Sequence, residues 1–142
     1  MKPRHNILRA YLDTGAYLAA LLWFTLSPKP VGDMEVPFFP GADKIVHAGM
    51  FFMLALLCWR DTSVDRMDHH RPLPGRKFFV LTAAASALTG YGIEIAQWKM
   101  NAGRSFEWGD IVADSLGALA AWGAMILFTR IIERRRPGNA PK

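Results

Sequence analysis

FFVLTAAASALTGYGIEIAQWKMNAGRSFEWGDIVADSLGALAAWGAMILFT, residues Phe78 to Thr129, sets two apolar runs on either side of a polar centre. The runs, Phe78 to Ile93 and Ser115 to Thr129, are apolar or small all the way round a helical wheel. A helix of a soluble bundle buries one stripe and needs charged residues on its other faces, recurring about every 3.6 residues. Neither run offers such a face, so apolar length argues for helices in lipid. Between them stand Glu94, Gln97, Arg104, Ser105, Asp110 and Asp114. Ionisable groups at membrane depth are costly unless they face a protein interior or a wet cavity, so a site is expected here.

Working outward, Thr14 to Pro28 and Ile45 to Trp59 repeat the apolar pattern. With flanking residues each run approaches the roughly 20 residues that cross a bilayer. The chain is 51% hydrophobic and 20% charged over 142 residues, more apolar than an ordinary soluble domain. Its mean hydropathy is a modest +0.11, because charged residues gather between the runs. These features predict an all-α polytopic membrane protein: one domain over residues 1–142, with four transmembrane helices in an antiparallel bundle. The helices are expected at about 7–26, 42–59, 77–98 and 110–132, followed by a basic tail over 133–142.

Charge sets the expected orientation. With the amino terminus inside, only Lys29, Lys44, Lys99 and Arg104 of the 17 lysines and arginines fall outside. That bias places both termini in the cytoplasm and the site on the outer side. The first span then serves as an uncleaved signal anchor. The net charge of +5 is met by an anionic leaflet and calls for no nucleic-acid partner. Cys58 is the one cysteine, which excludes an intramolecular disulfide and a cysteine metal site. Asp13 reads as a headgroup-level residue, and Asp61 to Lys77 as a solvated inner connector.

Helical spacing places the candidate site residues. Asp43 and His47 are four apart and share a face, with Asp43 placed to cap the second helix. Ala83, Ser86, Ala87 and Gly90 form a face of small residues shared with Glu94 and Gln97, which points the Glu94 carboxylate between helices. Gln97 both donates and accepts, so it suits orienting Glu94 or a headgroup. Arg104 offers planar bidentate bonding to a carboxylate or phosphate. Asp110 is explained by the helix dipole, whereas Asp114, one turn deeper, is not. Ala113, Gly117 and Ala121 predict a close helix crossing with Asp114 in the contact.

Asp43-Lys44-x-x-His47, Glu94-x-x-Gln97, Arg104-Ser105 and Asp110-x-x-x-Asp114-x-x-Gly117, in that order, resemble the signature of the VanZ-like family of small bacterial membrane proteins. That family is named for a protein associated with resistance to the glycopeptide teicoplanin. The resemblance spans Asp43 to about Thr129 and implies a helical protein of the bacterial inner membrane. One departure is Asp114, where the family more often carries Asn; it adds a carboxylate.

Three functional readings follow. In the first, His47, Glu94 and Asp114 act as catalytic groups on a lipid headgroup or lipid-linked envelope precursor. Asp43, Lys44, Gln97, Arg104, Ser105 and Asp110 bind it, in a role linked to glycopeptide resistance or envelope homeostasis. A divalent metal, Zn, Mn or Mg, is compatible with His plus carboxylates, though no HExxH motif is present. In the second, the same residues form a binding or permeation cavity without bond chemistry. In the third they are a self-satisfied network that fixes helix register. Membrane lipids are the expected partners; enzyme status and oligomeric state stay open.

Overall fold

The computed structural model of the protein describes residues 10–27, 39–100 and 107–135, and every regular element among them is a helix. The helices are α1 (Leu12–Leu26), α2 (Ala42–Asp68), α3 (Arg76–Met100) and α4 (Trp108–Arg135). Three of them, α2, α3 and α4, are long and apolar enough to cross a membrane. At about 1.5 Å per residue, the 27 residues of α2 exceed the hydrocarbon thickness of a bilayer. The 15 residues of α1 are apolar but fall short of a span, against the 7–26 expected; residues before 10 lie outside the described set.

α2 packs most extensively against α4, and α3 closes onto both. The tightest crossing is glycine-made. A Cβ on Gly117 would overlap the backbone carbonyl of Ala48, and one on Gly90 would overlap the Asp114 carboxylate. The small-residue seams expected from the sequence therefore bring backbone against backbone and backbone against carboxylate. At one end of the assembly Ala55, Trp59, Phe79, Ala121 and Met125 form a core, and Trp59 donates to Thr129. A second core, Leu21, Phe51, Leu54 and Ile93, joins α1 to α2 and α3.

Large apolar side chains also point outward along all four helices, among them Trp23, Ile45, Leu81, Leu88, Leu116, Leu119 and Leu127. In water such a surface is an association liability; against lipid tails it is the solvated face.

The second helix does not stop near Trp59. It continues to Asp68, and Asp61, Thr62 and Ser63 are buried where a solvated connector was expected. The cause lies on α1. The backbone N–H and hydroxyl of Thr14 both donate to Asp61 Oδ2, at 3.0 and 2.8 Å. Tyr11, the N-cap of α1, makes no side-chain cap bond, so Asp61 satisfies a first-turn N–H from a neighbouring helix. The Tyr11 and Thr62 hydroxyls share a hydrogen bond, and Arg60 pairs with Asp13 and with Asp61. Asp13 thus faces a partner helix instead of headgroups alone. Asp61→Ala removes both Thr14 bonds and is expected to destabilise by about 1–3 kcal/mol. Asp61→Asn, which keeps an acceptor, should lose less, and melting temperatures of the two variants in detergent check the order.

Candidate functional site

The start of α2, the end of α3 and the start of α4 converge on one polar cluster. Each contributing position lies within about two turns of a helix end, which explains how charges fit a chain with such apolar runs. Lys44 is its cationic hub: Nζ lies 2.7 Å from Asp43 Oδ2, 2.5 Å from Glu107 Oε2 and 2.6 Å from Asp110 Oδ1. Gly109 lets this side chain pass, since a Cβ there would meet Lys44 Cε.

His47 lies one turn deeper. Its Nδ1 is 3.0 Å from Asp114 Oδ1, and its Nε2 is 3.8 Å from Asp110 Oδ2. The Asp114 carboxylate can only accept, so Nδ1 carries the proton in that bond and the ring orientation is fixed. Asp114 is buried at 1% exposure, held in the notch left by Gly90.

Glu94 is equally buried, at 1%. Its Oε2 accepts the backbone N–H of Glu107 at 3.2 Å, while Oε1 has no hydrogen-bond partner among the described residues. A buried oxygen left in this state normally costs on the order of 1–3 kcal/mol. One donor atom each from His47, Glu94 and Asp110 lies within 4.8 Å of the other two. Asp43, Glu107 and Asp110 make a second such group, but Lys44 already occupies it.

The described residues thus place Asp43, Lys44, His47, Glu94, Asp110 and Asp114 together. Asp43 sits in the first turn of α2 without capping it. The N-cap is Gly41, at φ +86°, with no side-chain cap bond. Gln97 is buried but turned to α1, its Nε2 donating to the Thr25 carbonyl at 2.7 Å. It ties α1 to α3 and is not seen orienting Glu94. Arg104 and Ser105 lie outside the described residues. Glu107 was missed by sequence reading, although it contacts both Lys44 and Glu94. Its one signal is its position three residues before Asp110, just ahead of α4.

The cluster's surroundings differ from the opposite end. Phe39, Trp98 and Trp108 are exposed around it, with Trp23 close to the same end of α1. The far end gathers Arg60, Arg66, Arg76, Lys77, Arg130, Arg134 and Arg135.

A family model described as VanZ/LLP1 matches residues 11–129. No curated protein and no solved structure matches the chain.

Proposed function

Because the chain belongs to the VanZ/LLP1 family and carries helices long and apolar enough to span a membrane, we propose that it is an inner-membrane protein with an outward-facing headgroup site. In this reading α1 to α4 form a four-span antiparallel bundle with both termini cytoplasmic. The ligand is the headgroup of a lipid or a lipid-linked envelope precursor. The observation that carries it is the position of the acidic cluster at the end ringed by exposed Trp23, Trp98, Trp108 and Phe39. Outward tryptophans belong at headgroup depth, and the basic residues of the other end belong on the cytoplasmic side. A ligand anchored there can lay its chain on the apolar helix faces while its polar end reaches Lys44, His47 and Glu94.

Five carboxylates, Asp43, Glu94, Glu107, Asp110 and Asp114, stand against Lys44 and His47 among the described residues. That surplus favours a headgroup bearing an amine. His47, Glu94 and Asp114 hold groups able to move a proton, which is where a catalytic step would act. The wider role is envelope homeostasis, with changed glycopeptide sensitivity as its cellular readout.

Thermal shift of the detergent-purified full chain tests the site. Probes are an amine-bearing zwitterionic lipid, an anionic lipid and a polyprenyl-diphosphate precursor. One of them is expected to raise the melting temperature of wild type and to leave Glu94→Gln and His47→Ala unshifted, while both variants stay folded. If no probe shifts wild type and both variants collapse, the cluster is scaffolding and the headgroup reading is lost.

A further inference from the structure

We propose that His47, Glu94 and Asp110 bind one divalent first-row transition ion, and that Asp114 is the residue that aims His47 at it. Two independent observations converge. The first is the grouping itself, with a donor atom from each side chain within 4.8 Å of the other two. The second is Glu94 Oε1, an oxygen of a 1% exposed side chain with no hydrogen-bond partner among the described residues. Burial without a partner is unfavourable for a carboxylate oxygen, and a cation removes that cost.

The hydrogen bonds around the group divide the work. With Nδ1 of His47 donating to Asp114, Nε2 is the ring nitrogen that faces Asp110 Oδ2, at 3.8 Å. In the neutral ring Nε2 and Oδ2 are both acceptors, and a cation between them is what makes that pairing favourable. A carboxylate behind an imidazole whose other nitrogen faces a metal is the usual outer-shell device that fixes the tautomer and raises ligand basicity. Glu94 is oriented likewise, since its Oε2 is held by the Glu107 N–H at 3.2 Å. Lys44 neutralises Asp110 Oδ1 at 2.6 Å, which leaves Oδ2 for the ion.

One imidazole and two carboxylates suit Zn²⁺ or Mn²⁺ better than Ca²⁺ or Mg²⁺, which favour all-oxygen sets. Metal–donor bonds of about 2.0–2.2 Å require the three groups to draw together by side-chain torsion. Three protein ligands leave coordination positions open. Where the headgroup reading holds, a phosphate oxygen takes one of them, which explains how an acidic cluster accepts an anionic headgroup. That last link rests on the proposed function; the ion site does not.

The test uses the full chain in detergent, stripped with chelator, free of added lipid, and dialysed against Zn²⁺, Mn²⁺ or Mg²⁺. Metal per protein is measured by mass spectrometry, and the visible spectrum of the Co²⁺-loaded protein reports imidazole coordination. Wild type is expected to retain about one equivalent of Zn²⁺ or Mn²⁺. Glu94→Gln and His47→Gln should each weaken binding at least about tenfold, and Asp114→Asn about 10–100-fold. Glu133→Gln, at the far end of α4, serves as the control that keeps wild-type binding. The proposal is overturned if wild type retains no metal, if Mg²⁺ binds as well as Zn²⁺, or if Glu94→Gln retains the ion as wild type does. Should a variant fail to fold, the Co²⁺ spectrum of wild type still decides: no imidazole-ligated signature rejects the site. A retained ion with no lipid shift separates this result from the headgroup reading.

Discussion

Gly117→Val is expected to unfold the helical assembly or leave it barely stable, whereas Gly123→Ala, six residues further along α4, leaves its melting temperature unchanged or raises it. The contrast follows from what each new atom would meet. A Cβ at Gly117 falls on the Ala48 carbonyl, a backbone group of α2 that cannot swing aside. A Cβ at Gly123 meets nothing within 4 Å. Overpacking against side chains costs about 1–3 kcal/mol, and backbone overlap belongs at or above the top of that range. Gly→Ala in a helix with open space gains up to about 1 kcal/mol through propensity alone. Valine at 117 also pries α2 from α4 one turn from the His47–Asp114 hydrogen bond, so site and fold should fail together. Thermal denaturation of both variants in detergent checks this, and equal melting temperatures would show that α2 and α4 do not cross backbone to backbone at Gly117.

The second large effect is expected at Lys44. Lys44→Met leaves Asp43, Glu107 and Asp110 around an apolar tip, three carboxylates with no shared cation. Removing one partner of a fully buried ion pair costs roughly 3–5 kcal/mol; with Lys44 32% exposed, water screens part of that, and about 1–3 kcal/mol is expected. Adding Asp110→Asn should recover part of the loss, because Asp110 is the least exposed of the three carboxylates that surround the lysine. A double-mutant cycle measures the recovery. Strict additivity of the two changes would mean that the lysine acts through its stem and not its charge.

Much of the polar end was legible because polar residues at the ends of apolar helices have few places to go. His47, Glu94, Asp110 and Asp114 stood out for that reason, and the small residues at Gly90 and Gly117 marked the seams that bring them together. Other features could not be read so directly. Glu107 lies just before α4, where no periodicity constrains its direction. Gln97, whose amide suits orienting Glu94 or a headgroup, donates instead to the backbone carbonyl of Thr25, 72 residues away, a partner no local spacing reveals. The extension of α2 was hidden by its charges, although no proline interrupts residues 60–68 and Asp65 and His69 keep helical spacing. Charge does not mean solvent exposure there, because Asp61 serves the free end of another helix.

The notch between Gly90 and Asp114 also bears on how the protein can change over generations. The carboxylate of one residue fills the space that the other leaves by having no side chain. The two positions are therefore sterically coupled. Any side chain arriving at 90 requires a smaller neighbour at 114 in the same lineage, and with it the loss of the support beneath His47. The orientation of the imidazole therefore depends, through Asp114, on a glycine of another helix.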